Sequence, residues 1–209
     1  MMQVEISGGP RGIDARKAFR ESVIVVSGLP RSGTSMMMKM LEAGGVDILT
    51  DEIRKADEDN PNGYYELEIV KTLKQQEDKL WLEGARGKAL KVISALLNTL
   101  PGSCCYKVIF MNRKLEEVIA SQNQMRARRG DHSEAADEEM ALLFRKHLEK
   151  VRDWVARQSN FDVINIEHRE VLEDPLRVAD QIKAFLGKEV NVEKMSGVVD
   201  KQLYRNRQG

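Results

Sequence analysis

Gly28 and Gly33 are five positions apart in the stretch VIVVSGLPRSGTS, with Arg31 between them and Ser35 two positions beyond. The apolar, β-branched run Val23 to Val26 predicts a strand, and Met36 to Leu41 predicts a helix. A Gly/Pro loop between a strand and a helix aims backbone N–H groups and a helix N-terminus at one point, where negative charge is favoured. The chemistry this suits is the binding of a phosphate-like anion. A second constellation lies further on. Arg113 closes the strand candidate Cys105 to Met111, and Ser121 follows eight residues later in a helix candidate. A guanidinium at a strand's end can fork onto an anion, and a nearby hydroxyl adds a donor. The plainer alternatives are a Gly-rich turn without a ligand, an Arg113 paired with Glu116 or Glu117, and a solvent-facing Ser121.

The elements that must position these residues follow in order. Residues 1–20 read as an arm or short helix, and residues 21–209 as one α/β domain. After the loop, a helix runs to about Ala43 and ends at Gly44-Gly45. Val46 to Leu49 is a short strand candidate. The polar stretch 51–68 then carries a turn at Asn60-Pro61-Asn62-Gly63. Tyr64, Tyr65 and Glu66 open a helix expected to reach about Leu82. Ala89 to Ile93 is a buried strand candidate, and Ser94 is expected to cap a short helix. Leu115 to Arg129 reads as a helix with a basic end at Arg126, Arg128 and Arg129. The longest helix is expected over 137–158, with His147 hydrogen-bonded on its apolar face. Phe161 to Ile166 is the last strand, and Pro175 opens a helix that ends at Gly187. Alternation of this kind predicts a mainly parallel, doubly wound sheet with helices on both faces. Ligands of such sheets sit at the carboxyl ends of the strands, where both the glycine loop and Arg113 fall.

Lys plus Arg equals Asp plus Glu, at 33 each in 209 residues. That balance argues against nucleic acid or a membrane surface as partner. The two cysteines, Cys104 and Cys105, are chain neighbours, a poor arrangement for a structural disulfide. With no apolar leader and no run of membrane-spanning length, the expectation is a cytoplasmic protein. The 137–158 helix could serve a homodimer or simply the core.

The loop resembles the GxxxxGK[ST] phosphate loop of P-loop kinases and ATPases, but Thr34 stands where the lysine would be. The cation has moved into the loop as Arg31. That form, Pro30-Arg31-Ser32-Gly33-Thr34-Ser35 after a first strand, resembles the 5′-phosphosulfate loop of sulfotransferases that use 3′-phosphoadenosine 5′-phosphosulfate (PAPS). The Arg113-x7-Ser121 pair resembles their 3′-phosphate site. Together with DEDNPNGYYE and EDPLRVADQIKAFLG, these stretches look like a bacterial branch of that family, with a P-loop NTPase-like fold. There are departures. Cytosolic members carry a loop lysine where Arg31 stands, and Asn/Asp-Pro where Lys114-Leu115 follow Arg113. Their Gly-rich, Lys-containing C-terminal motif is missing, and Arg205 is the replacement expected to touch the cofactor.

The resemblance implies in-line transfer of a sulfuryl group from PAPS to a hydroxyl or amine of a small-molecule acceptor, without a metal. Arg31 would stabilise charge on the leaving phosphate, Gly33, Thr34 and Ser35 would hold the 5′-phosphate, and Arg113 and Ser121 the 3′-phosphate. Family members use a His or a Glu as general base. His132, His147 and His168 all lie far along the chain from the usual interval between the phosphate sites, whereas Glu66 is inside it. Glu66 is therefore the expected base, with Asp59 in reserve. Two other classes remain: a P-loop kinase or NTPase, and a non-catalytic nucleotide-binding protein of the same fold.

Overall fold

The computed structural model describes residues 19–51, 53, 57, 63–128, 130 and 137–200. The 1–18 part of the arm, the turn at 60–62, Asp59, Arg129, His132 and Arg205 lie outside the described residues.

Four strands form one all-parallel sheet: β1 (Ser22–Gly28), β2 (Ala89–Lys91), β3 (Cys105–Asn112) and β4 (Phe161–Glu167), in the spatial order β2-β1-β3-β4. Every residue of β1 is buried, which is why its sequence is a continuous apolar run rather than an alternation. Neighbouring side chains along each strand point to opposite faces. Ile24, Val26, Ile109, Met111 and Ile166 form one core with α1 (Thr34–Ala43), α6 (Pro175–Leu186) and α7 (Val192–Gly197). Val23, Val25, Val108 and Phe110 form the other, packed against the 3₁₀ turns Leu80–Ala85 and Ser94–Thr99 and against Leu148, Val151 and Trp154 of α4 (Asp137–Val155). Helices thus cover both faces, as expected of a doubly wound, P-loop NTPase-like α/β fold.

The chain leaves β1 toward β2 on one side, and β3 then pairs with β1 on the other. This reversal opens a crevice at the carboxyl ends of β1 and β3. The elements α3 (Leu115–Arg128) and α4 close over the top. Phe161 holds the β4 end of the sheet to α4, with Trp154 edge-on at 5.2 Å and Tyr106 at 4.8 Å between centroids. Among the described residues no helix is long and apolar enough to cross a membrane.

Several boundaries differ from the sequence expectation, each for a physical reason. The helix expected from Glu66 to Leu82 is only α2 (Glu68–Lys71), followed by a turn and the first 3₁₀ segment. Asp51 accepts the amide of Glu68 at 2.5 Å and fixes the start there. The polar run Lys74 to Lys79 then has no apolar face to bury. The strand candidate at Val46 to Leu49 contributes one bridge, Ile48 to Ala89. Ser94 does not cap; its Oγ meets Nε2 of His147 at 2.8 Å, so His147 is the hydrogen-bonded face residue expected of it. Two short helices, α5 (His168–Glu173) and α7, have too little periodicity to be legible.

Helix α6 has a complete set of end signals. The Asp174 carboxylate accepts the amide of Arg177 at 3.1 Å, Pro175 occupies the first position, and Gly187 closes it at φ 64°. Asp174→Ala should lower unfolding free energy by about 1 kcal/mol in a urea titration, and an unchanged midpoint would show that Pro175 alone fixes the start.

Candidate active site

The loop after β1 is held in a shape that side chains resist. Gly28 (φ 149°) and Gly33 (φ 96°) lie in the left-handed half of the map, and so does Arg31 (φ 72°). A Cβ on Gly28 would stand 2.5 Å from Ser32 Oγ and 2.6 Å from the Met111 carbonyl; one on Gly33 would stand 2.5 Å from Cδ2 of His168. Glycine is therefore required at both positions by contact as well as by backbone angle. Ser32 N donates to the Leu29 carbonyl at 3.1 Å and closes the turn. Helix α1 begins at Thr34 with no side-chain cap, so its first-turn amides face the loop's mouth.

The two sequence constellations meet in space. Arg31 Nε donates to Ser121 Oγ at 2.9 Å, although the residues are 90 positions apart. A guanidinium nitrogen of Arg113 donates to the Arg31 carbonyl at 3.0 Å, and its Nε donates to Glu117 at 2.9 Å. The pairing with Glu117 weighed from the sequence is thus present, and Arg113 also grips the loop. Ser121 is buried rather than solvent-facing. The fit to a phosphate-bearing group rests on this arrangement and on Ser32. Its Oγ is buried and has no hydrogen-bond partner among the described residues, in a space that a Cβ on Gly28 would fill. Pro30 lies exposed at the loop's outer turn.

On the other flank, Ser35 is turned toward the 63–67 segment. Its Oγ donates to the Tyr64 carbonyl at 3.3 Å and accepts from Lys91 Nζ at 3.3 Å. Lys91 also donates to the Tyr64 carbonyl. Glu66 is in extended chain, not at a helix start, and its carboxylate lies 3.1 Å from Lys71 and 3.9 Å from Lys91. The structure thus brings Glu66 beside the loop through Lys91, whose side chain is only 9% exposed. Sequence reading missed Lys91. The signal was there, since Lys91 ends β2, and the strand-end rule that found Arg113 applies equally to it.

His168 was also missed, because distance along the chain was used to set it aside. It is the first residue after β4, and its ring packs under Gly33. Burial first, and then the Arg113 guanidinium, push its pKa down to about 4, against the opposing pull of Glu117. The imidazole is neutral at pH 7. Among the described residues no group of three or more His, Cys, Asp or Glu side chains is arranged to hold a metal.

A depressed histidine pKa makes stability fall with acid. The unfolded chain takes up the proton near pH 6.5, the folded chain only near pH 4. Between those values the wild type should lose roughly 3 kcal/mol more than His168→Phe. Urea unfolding across this range checks it; parallel curves for the two proteins would mean that His168 titrates normally.

Comparison with known proteins bears on the same residues. Residues 21–209 match the family described as the sulfotransferase domain. Among solved structures, the sulfotransferase domain from the curacin biosynthetic pathway is similar at 14% identity and a TM-score of 0.47, covering 90% of this chain and 78% of that one. A sulfotransferase from Alicyclobacillus acidocaldarius gives 15% identity and a TM-score of 0.48, covering 82% and 84%. A search of curated proteins finds no match. The family match spans the phosphate loop, Arg113, Ser121 and nearly all of the chain, and on that ground the protein belongs to the sulfotransferase domain family.

Proposed function

We propose that this protein transfers a sulfuryl group from PAPS to a hydroxyl or amine of a small-molecule acceptor. The observation that carries the proposal is the convergence of Arg31, Arg113 and Ser121 on one glycine-bounded loop. When bound, PAPS supplies the sulfuryl group, and adenosine 3′,5′-bisphosphate is the leaving group.

The chain's own residues have separable tasks. The amides of Gly33 and Thr34 and the hydroxyls of Ser32, Thr34 and Ser35 hold the 5′-phosphate at the start of α1. Arg113 and Ser121 hold the 3′-phosphate, with Glu117 keeping the Arg113 guanidinium in orientation. Arg31 opposes the negative charge that grows on the leaving phosphate. Its hydrogen bond to Ser121 sets its direction before any ligand arrives. Glu66 takes the proton of the acceptor group as the new bond to sulfur forms. Lys91 stands 3.9 Å from the Glu66 carboxylate and adds a cation beside Ser35. The task for these side chains is positioning and charge stabilisation, the needs of an in-line transfer.

The first test is calorimetric. Adenosine 3′,5′-bisphosphate should bind in preference to ADP with magnesium, and Arg113→Ala should weaken the bisphosphate roughly tenfold or more, the loss expected of a charge-assisted contact. Equal or better binding of Mg-ADP, indifferent to Arg113, would return the protein to the P-loop kinase class. The base has its own test. Glu66→Gln should lower turnover about 10²–10⁴-fold while leaving bisphosphate affinity intact, and retention of near wild-type turnover would remove Glu66 from the mechanism.

A further inference from the structure

Among the described residues, two that carry a side chain have a left-handed backbone: Arg31 in the phosphate loop, and Tyr65 at φ 50°. Asn and Asp visit this region with some ease, but a bulky aromatic residue is an outlier there. Tyr65 stands immediately before Glu66. Its dihedral angles therefore decide on which side of the chain the Glu66 side chain leaves. Conformations of this cost persist only where the surroundings over-determine them.

The chain is held on both sides of Tyr65. Before it, the Tyr64 carbonyl accepts from Ser35 Oγ and from Lys91, and the Tyr64 hydroxyl meets both carboxylate oxygens of Asp57 at 2.7 and 2.8 Å. After it, the Glu66 carbonyl accepts from Thr50 Oγ1 at 2.9 Å and from the Asp51 amide at 3.3 Å. Tyr65 itself is anchored by its side chain. The ring packs, half-buried, on the core that α1 shares, and its hydroxyl donates to Glu42 at 2.6 Å. Burial and then the Glu42 carboxylate push the phenol up, so the hydroxyl stays a donor. Ser35 lies in the first turn of α1 and Glu42 in its last. The helix that faces the phosphate loop thus holds the segment before Glu66 at two points.

We propose that Tyr65 is a positioning residue for Glu66: the ring anchored on α1 and Glu42 holds a left-handed backbone that sets the direction of the Glu66 carboxylate. The proposal rests on the reading of Glu66 as the base. It gives the two strained residues matching tasks. Arg31 is held in place to meet the leaving phosphate, and Tyr65 is held so that its neighbour meets the acceptor.

Tyr65→Ala and Tyr65→Gly test this in the full chain. Both delete the ring and its bond to Glu42, but glycine takes a left-handed backbone without steric cost. With PAPS and 2-naphthol as probe acceptor, Tyr65→Gly should turn over roughly tenfold faster than Tyr65→Ala. The difference should lie in kcat, and both should bind adenosine 3′,5′-bisphosphate as the wild type does. A ring that only adds packing predicts the opposite order, because glycine has more conformational freedom to lose on folding; that order, or equality, overturns the proposal. In a Glu66→Gln background the gap between the two should vanish, and its persistence would show that Tyr65 acts through another group. Amide hydrogen exchange over residues 65–68 needs no acceptor. It should be roughly tenfold faster in Tyr65→Ala than in the wild type, with Tyr65→Gly between them, and equal rates in all three proteins overturn the proposal even where 2-naphthol does not react. If Glu66→Gln turns over like the wild type, the base assignment falls, and the exchange order still decides whether the ring holds the backbone.

Discussion

The bond from Arg113 to the backbone carbonyl of Arg31 is the contact on which the site depends. Arg31 has a left-handed backbone, which costs a residue with a Cβ about 1–2 kcal/mol. Such a conformation persists only where its surroundings over-determine it. Here the carbonyl is gripped by Arg113, just beyond β3, while the side chain of the same residue is tied to Ser121 on α3. Arg113 is itself fixed by Glu117, a nearly buried ion pair in which removal of either partner strands a charge. The loop's shape is thus imposed from outside by residues more than 80 positions away.

That dependence explains how the loop is seated on its two flanks. Beneath it, the His168 ring leaves no room for a side chain at Gly33, and a neutral ring is what burial permits beside the Arg113 cation. On the far side, Lys91 draws Ser35, the Tyr64 carbonyl and Glu66 together, so the 63–67 segment is bound to α1 by a buried ammonium. A buried lysine needs such acceptors, since desolvation of an unpaired ammonium costs several kcal/mol. The carboxyl ends of all four parallel strands therefore contribute: Gly28 from β1, Lys91 from β2, Arg113 beyond β3 and His168 beyond β4. This is the crevice expected where a sheet's strand order reverses.

The sequence made the loop and the sheet legible because both rest on local rules. Val23 to Val26 is apolar on both faces, Gly28 and Gly33 punctuate the turn, and Pro175 and Gly187 bracket a helix. It showed the ends of strands less well, and two site residues were lost there. Lys91 was read as part of a strand that was expected to run on to Ile93. His168 was judged by its place along the chain, which says nothing about space once β4 has crossed back beside β3. The failed helix after Glu66 has a similar origin: periodicity was counted over a stretch where Asp51, far upstream, sets the start by capturing the amide of Glu68. In each case the deciding partner is remote, and no window of sequence contains it.

The loop cation also bears on the chemistry. A lysine offers one nitrogen, so an ammonium held by Ser121 would have its charge centre at that contact. Arginine spreads its charge over three nitrogens in a rigid fork. The Arg31 Nε can be anchored on Ser121 while the terminal nitrogens still belong to the same delocalised cation. Anchoring and charge stabilisation then become compatible in one side chain, and the direction of the guanidinium is fixed before a ligand arrives. Pre-orientation of this kind removes a reorganisation cost from the transition state. It also ties the loop cation to α3, so a shift of that helix would move Arg31 and Ser121 together rather than separate them.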